Sequence, residues 1–226
     1  MQYLRKYYKL TFIFLAFNLL LTAKAQKTRY WEYGIGLGVY HYRGDLNENF
    51  SVGNFIKEAG PRIVVHLRQN PVPWFNFGFE AGYGNSTIRD ADYGRLTRNW
   101  EVYTESFDLN FSFEWMFLRY GKWHWENKIT PYIKAGGGGL IAGSRGQNTI
   151  DLPESIVLHP YTYGSYNLFY GYGVKTRIGY HTTLFIQFTA HATGTDKMDG
   201  FIENSVATQK NDRYVSFIFG ISRLVF

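Results

Sequence analysis

Charged residues sit at alternate positions inside otherwise apolar segments of this sequence, and that spacing sets the first chemical question. Glu32 lies between Trp31 and Tyr33. Arg62 and Arg68 bracket Ile63, Val65 and Leu67. Glu80, Asp108, Glu114, Lys134, Lys175 and Arg177 fall in the same way among large apolar neighbours. Four acids and five bases on one side of alternating segments are close to charge balance. Charges withdrawn from water must be paired, or each costs several kcal/mol. The chemistry this pattern offers is a packed ionic plug rather than a reacting group or a conducting pore.

Such a plug needs elements that carry one polar face and one apolar face. Residues 31–41 alternate Trp31, Tyr33, Ile35, Leu37, Val39 and His41 with Glu32, Gly34, Gly36 and Gly38. The period is two, the signature of a strand. It recurs in "RIVVHLRQ", "WFNFGFEAGYG", "ESFDLNFSFEWMF", "TPYIKAGGGGLI", "FYGYGVKTRIGY", "TLFIQFTAHA" and "YVSFIFGISRLVF". The last has poorly separated faces, which a β-bulge would explain. This reading gives eight strands. Long polar connections follow strands one, three, five and seven; short ones follow two, four and six. An even strand number with long loops at one end and short turns at the other predicts an eight-stranded antiparallel transmembrane β-barrel of the outer-membrane type, with both termini on the periplasmic side. A soluble sandwich or lipocalin-type barrel would need its larger apolar set inside, and that set is too bulky and continuous to fit there.

Composition agrees. Aromatic residues make up 19% of the chain, and there are 24 glycines and no cysteine. That excludes disulfides and thiolate metal sites and suits an exported protein. Residues 1–25 read as a signal peptide: Arg5, Lys6 and Lys9 precede the apolar "LTFIFLAFNLLLT", and "AKA" ends at Ala25. The barrel domain is then 26–226. Four of the 24 basic residues lie in the leader, leaving 20 against 18 acids, so the formal charge of +6 falls to +2. A nucleic-acid partner loses its support, and lipid becomes the expected surrounding.

Within that frame the glycine face of residues 31–41 lines a narrow lumen and the large face meets lipid. Trp31, Trp74, Trp115, Trp123, Trp125 and Tyr180 form an aromatic girdle at the short-turn end; Tyr40, Tyr42, Tyr83, Tyr103 and Tyr170 form one at the long-loop end. The histidines His41, His66, His124, His159, His181 and His191 share no metal-ligand spacing. His41 at the outer rim reads as a belt histidine rather than the base of a lipid-modifying site. "AGGGGL" at 135–140 lacks the Lys and Ser/Thr of a phosphate loop and reads as close strand packing. Asp90, Asp92, Asp196, Asp199 and Asp212 read as solvated loop acids rather than a calcium site. No cofactor is implied. "RYGKWHWENK" at 119–128 is an unusually long turn for its side of the membrane. Its Trp123 and Trp125 are interface anchors or a docking point for a periplasmic partner.

The order of phrases along the chain resembles the PorG-like outer-membrane barrels of Bacteroidetes. "YGIGLGVYHYRGDLN" resembles the family's opening, "GNSTIRDADYGRLTRN" its second outer loop, and "ESFDLNFSFEWMFLRY" with "ITPYIKAGGGGL" its central strand pair. "YGVKTRIGYHTTLFIQFTAHATGTDKMDG" resembles the seventh-strand region and "NDRYVSFIFGISRLVF" the closing strand, with Arg213 where a Trp is usual. The resemblance implies a non-catalytic component of the type IX secretion system. Such a barrel anchors a periplasmic ring, built from a lipoprotein and its partner protein, to the outer membrane. The alternative is an adhesion or surface-recognition barrel that works through its long outer loops.

Overall fold

A computed structural model describes residues 29–43, 52–89, 101–122, 124, 126–147, 156–158, 162–195, 198, 201–203 and 211–226. The segment read as a signal peptide lies outside these residues. Eight long strands are present: β1 (Tyr30–Arg43), β2 (Ala59–Val72), β3 (Phe75–Arg89), β4 (Glu101–Met116), β5 (Ile129–Gln147), β7 (Thr162–Arg177), β8 (Thr182–Thr193) and β10 (Arg213–Val225). Each pairs antiparallel with its neighbour, and β10 returns to β1, so the sheet closes in the order β1-β10-β8-β7-β5-β4-β3-β2. A short helix, α1 (Val52–Glu58), precedes β2. Two three-residue strands, β6 (Ile156–Leu158) and β9 (Phe201–Glu203), pair antiparallel outside the barrel.

Period-two sequence forces this closure. A strand with one apolar and one polar face has two environments to satisfy, and a closed barrel in lipid separates them while leaving no backbone edge unpaired. Leu37 is 63% exposed, Phe79 58% and Tyr172 62%, all on the outer face. Their inward neighbours, among them Asn76, Glu80 and Ser112, are buried. Every long strand has at least 12 residues and β5 has 19, whereas about 9–11 tilted residues cross the hydrocarbon layer. The surplus carries the sheet beyond the apolar belt. Among the described residues no helix is long and apolar enough to cross a membrane. The fold is that of a transmembrane β-barrel of the outer-membrane type.

The alternation of connection length is visible in the elements. Residues 73–74, 117–128 and 178–181 join strands at one end; residues 44–58, 90–100, 148–161 and 194–212 join them at the other. Among the described residues, register slips occur only at both ends of the β2–β3 ladder, between Ala59 and Arg62 and between Gln69 and Val72. Pro61 and Pro71 sit in those two intervals, and a residue without an N–H interrupts a ladder.

Three expectations change here. The final strand has no bulge: β10 keeps unbroken register with both neighbours and alternates cleanly between the two faces. Its faces looked alike because Ile218 and Leu224 are apolar residues buried inside the barrel. Tyr40 and Tyr42 do not join an aromatic girdle; both are fully buried in the lumen, with Tyr214, Ile88, Val102 and Leu140. His41 is not a belt histidine exposed to lipid but is 5% exposed, with Nδ1 3.8 Å from the Glu58 carboxylate.

Candidate functional site

The nine charged residues of the alternating pattern all point into the lumen, and none is more than 7% exposed. Arg68 is the hub of the larger group. Its guanidinium reaches Glu32 at 3.4 Å, Glu80 at 3.1 Å and Glu114 at 3.1 Å. Lys175 Nζ donates to Glu32 at 2.9 Å and Glu114 at 2.7 Å, and Lys134 Nζ donates to Glu80 at 2.7 Å. Three cations and three carboxylates thus interleave, contributed by β1, β2, β3, β4, β5 and β7. Neutral groups complete the shell: Asn76 donates to Glu114 at 3.1 Å, and Gln187 Oε1 accepts from Tyr132 and Lys134.

A second, smaller pair lies nearer the long loops. Arg62 donates to Asp108 at 2.6 Å, and Asn110 donates to the other oxygen of Asp108 at 2.6 Å. Gly82 is what makes room for this pair, because a Cβ there would overlap the Arg62 guanidinium and press on Asp108. The two charged groups are linked by a column of stacked rings. Phe169 stacks on His191 at 5.1 Å, and His191 on Tyr214 at 4.1 Å. Lys134 sits over Phe169 at 5.2 Å and Arg62 over Tyr214 at 5.4 Å, both in cation–π range. Within the stretch 135–140, Gly136 lies against the Phe169 ring of this column and Gly138 against Asn110 of the smaller charged group.

Arg177 stands apart from the network. It donates to the Gly121 carbonyl and lies 4.9 Å over the Tyr120 ring. That draws the 117–128 turn up against the barrel mouth. Tyr120 is buried, and its hydroxyl hydrogen-bonds Thr183 at 2.8 Å. Burial pushes the Tyr120 hydroxyl up to about 12, so it keeps its proton at physiological pH. Gly121 adopts φ +114°, a conformation that favours glycine, and a Cβ there would strike the Tyr30 ring. Tyr30 in turn packs edge-on against Phe226 at 5.8 Å. The two tryptophans singled out in this turn, Trp123 and Trp125, lie outside the described residues.

The opposite mouth is closed by Asp212. The Tyr42 hydroxyl donates to one carboxylate oxygen and the Met198 N–H to the other, at 2.8 Å. Asp212 is therefore a buried tether and not a solvated loop acid. Asp90, Asp92, Asp196 and Asp199 lie outside the described residues. Among the described residues, no group of three or more His, Asp or Glu side chains is placed to hold a metal ion.

Sequence reasoning placed the charges but assigned no role to Tyr120, Tyr132, Phe169 or Tyr214. The parity of Tyr132 was an available signal, since it shares a face with Lys134; Tyr214 lies in a strand whose two faces are poorly separated in the sequence. Tyr120 lies in a turn, where no period applies.

No family model and no curated protein matches the chain. Solved structures do. Neisserial surface protein A aligns over 85% of this chain and 96% of its own, with TM-score 0.54 and 11% identity. Ail, the attachment invasion locus protein of Yersinia pestis in complex with the heparin analogue sucrose octasulfate, aligns over 87% and 99%, with TM-score 0.49 and 9% identity. The outer-membrane protein OprG of Pseudomonas aeruginosa aligns over 87% and 95%, with TM-score 0.42 and 11% identity. At these identities the likeness is one of fold: an eight-stranded outer-membrane barrel.

Proposed function

We propose that this chain is a non-catalytic anchor of a Gram-negative outer membrane, holding a periplasmic assembly through its short-turn end. The observation that carries the reading is the 117–128 turn, which is long and yet fixed to the barrel by Tyr120–Thr183 and Arg177–Gly121. The lumen charges around Arg68 are buried and held in ion pairs, while a braced turn presents Arg119, Glu126 and Lys128 at a stable place. The resemblance to PorG-like barrels makes the type IX secretion ring, a lipoprotein and its partner, the assembly to look for. Crosslinked purification of the tagged barrel from outer membranes should recover ring components, and Trp123→Ala with Trp125→Ala should reduce that recovery while the barrel still folds. Recovery of the barrel alone, with normal type IX secretion in a deletion strain, would sink the reading.

One observation favours a second reading. β6 and β9 pair beyond the barrel and join the third and fourth long connections into one small sheet, a scaffold suited to surface recognition. Exchange of residues 193–212 would then abolish ligand binding and leave secretion intact.

A further inference from the structure

We propose that the outer face of β8, β10 and β1, at the long-loop end, binds a lipid with a phosphate-monoester headgroup from the surrounding leaflet. The register lays out that face row by row. Tyr172, Phe188, Phe217 and Val39 form an apolar row; Tyr170, Ala190, Val215 and His41 form the next; Leu168, Ala192, Arg213 and Arg43 form the third. Over two rows, about 13 Å along a strand, the surface changes from lipid-facing aromatics to two arginines. The charge appears where a headgroup layer meets the barrel.

The hollow between these rows has a volume of about 560 Å³, and Tyr170, Phe188 and Val215 line it with both arginines. It exists because Ala190 and Ala192 are the two short outward side chains of β8 here, set beside the bulk of Tyr170 and Phe188. Its apolar floor suits an acyl chain. Its rim suits an anion. Arg43 and Arg213 are directly opposite in an antiparallel pair, which puts their Cβ atoms about 4.5–5.5 Å apart. A phosphate dianion between them offers each guanidinium fork two oxygens. His41 also lines the hollow, with its Nδ1 3.8 Å from the Glu58 carboxylate. The apolar floor beside the arginines is the reason to expect a lipid rather than a free anion.

The test uses the full chain in phosphatidylcholine nanodiscs doped with diphosphoryl lipid A, transferred to neutral detergent and weighed by native mass spectrometry. Wild type should retain the phosphorylated lipid and not phosphatidylcholine. Arg43→Gln with Arg213→Gln should lower retention by about tenfold or more, the scale of lost charge-assisted hydrogen bonds. Arg223→Gln, an outward arginine at the other end of β10, should change nothing. Equal retention by the double variant, equal loss in Arg223→Gln, equal retention of phosphatidylcholine, or displacement by inorganic phosphate at matched concentration would each overturn the proposal. Heat-dependent gel migration reports folding. Should the glutamine pair fail to fold, the Arg43→Lys with Arg213→Lys pair, which keeps charge but loses the forks, must retain less lipid than wild type.

Discussion

The two halves of the lumen are filled by different chemistry. Near the short turns, six strand residues with full charges interlock, with Arg68 as their hub. Near the long loops, Tyr40, Tyr42, Ile88, Val102, Leu140 and Tyr214 pack as an apolar plug, with Met198 from a connection, and Asp212 ties that connection down. The first half is made wholly of barrel strands, so its geometry is fixed by the sheet. The second depends on a segment that must dock. The contrast teaches where stability resides and where opening begins.

The sharpest way to break the contrast is Arg68→Met. It removes the hub from three buried carboxylates, and breaking a buried ionic group costs about 3–5 kcal/mol. The urea midpoint of the barrel in detergent should fall accordingly. Arg68→Lys should recover little of it, because an ammonium cannot reproduce a fork shared by three carboxylates. Gly82→Ala should cost about 1–3 kcal/mol by overpacking against Arg62, read in the same titration. Asp212→Ala should sharpen the comparison from the other side. Its loss of about 1–3 kcal/mol should appear chiefly as faster proteolysis within 194–211, with the Arg68 group untouched. The smallest effect is expected for Tyr120→Phe, about 1 kcal/mol from one lost hydrogen bond, seen as faster amide exchange confined to the 117–128 turn.

Much of this architecture is legible in the residues. Glu114 among Phe113 and Trp115, or Arg68 beside Leu67, reveals its face because the strand period is two and lipid admits only one kind of side chain. Which acid meets which base is not legible, because pairing crosses strands distant in sequence: Lys175 reaches Glu32 across the closed barrel. The phase of the last strand was obscured for a related reason. Ile218 lies in an apolar cluster with Val64 and Phe185 inside the lumen, so apolar character there does not mean lipid. Asp212 looked like a solvated acid because its partners, Tyr42 and Met198, are brought to it only by the fold.

The pairing of β6 with β9 carries a consequence for immunity and for sequence drift. Backbone from two connections about 45 residues apart in the chain meets in one strand pair, so an antibody raised there would see a composite epitope. A linear peptide copied from either segment would fail to mimic it. Insertions in one connection would be constrained by the other, and the two should change together across lineages.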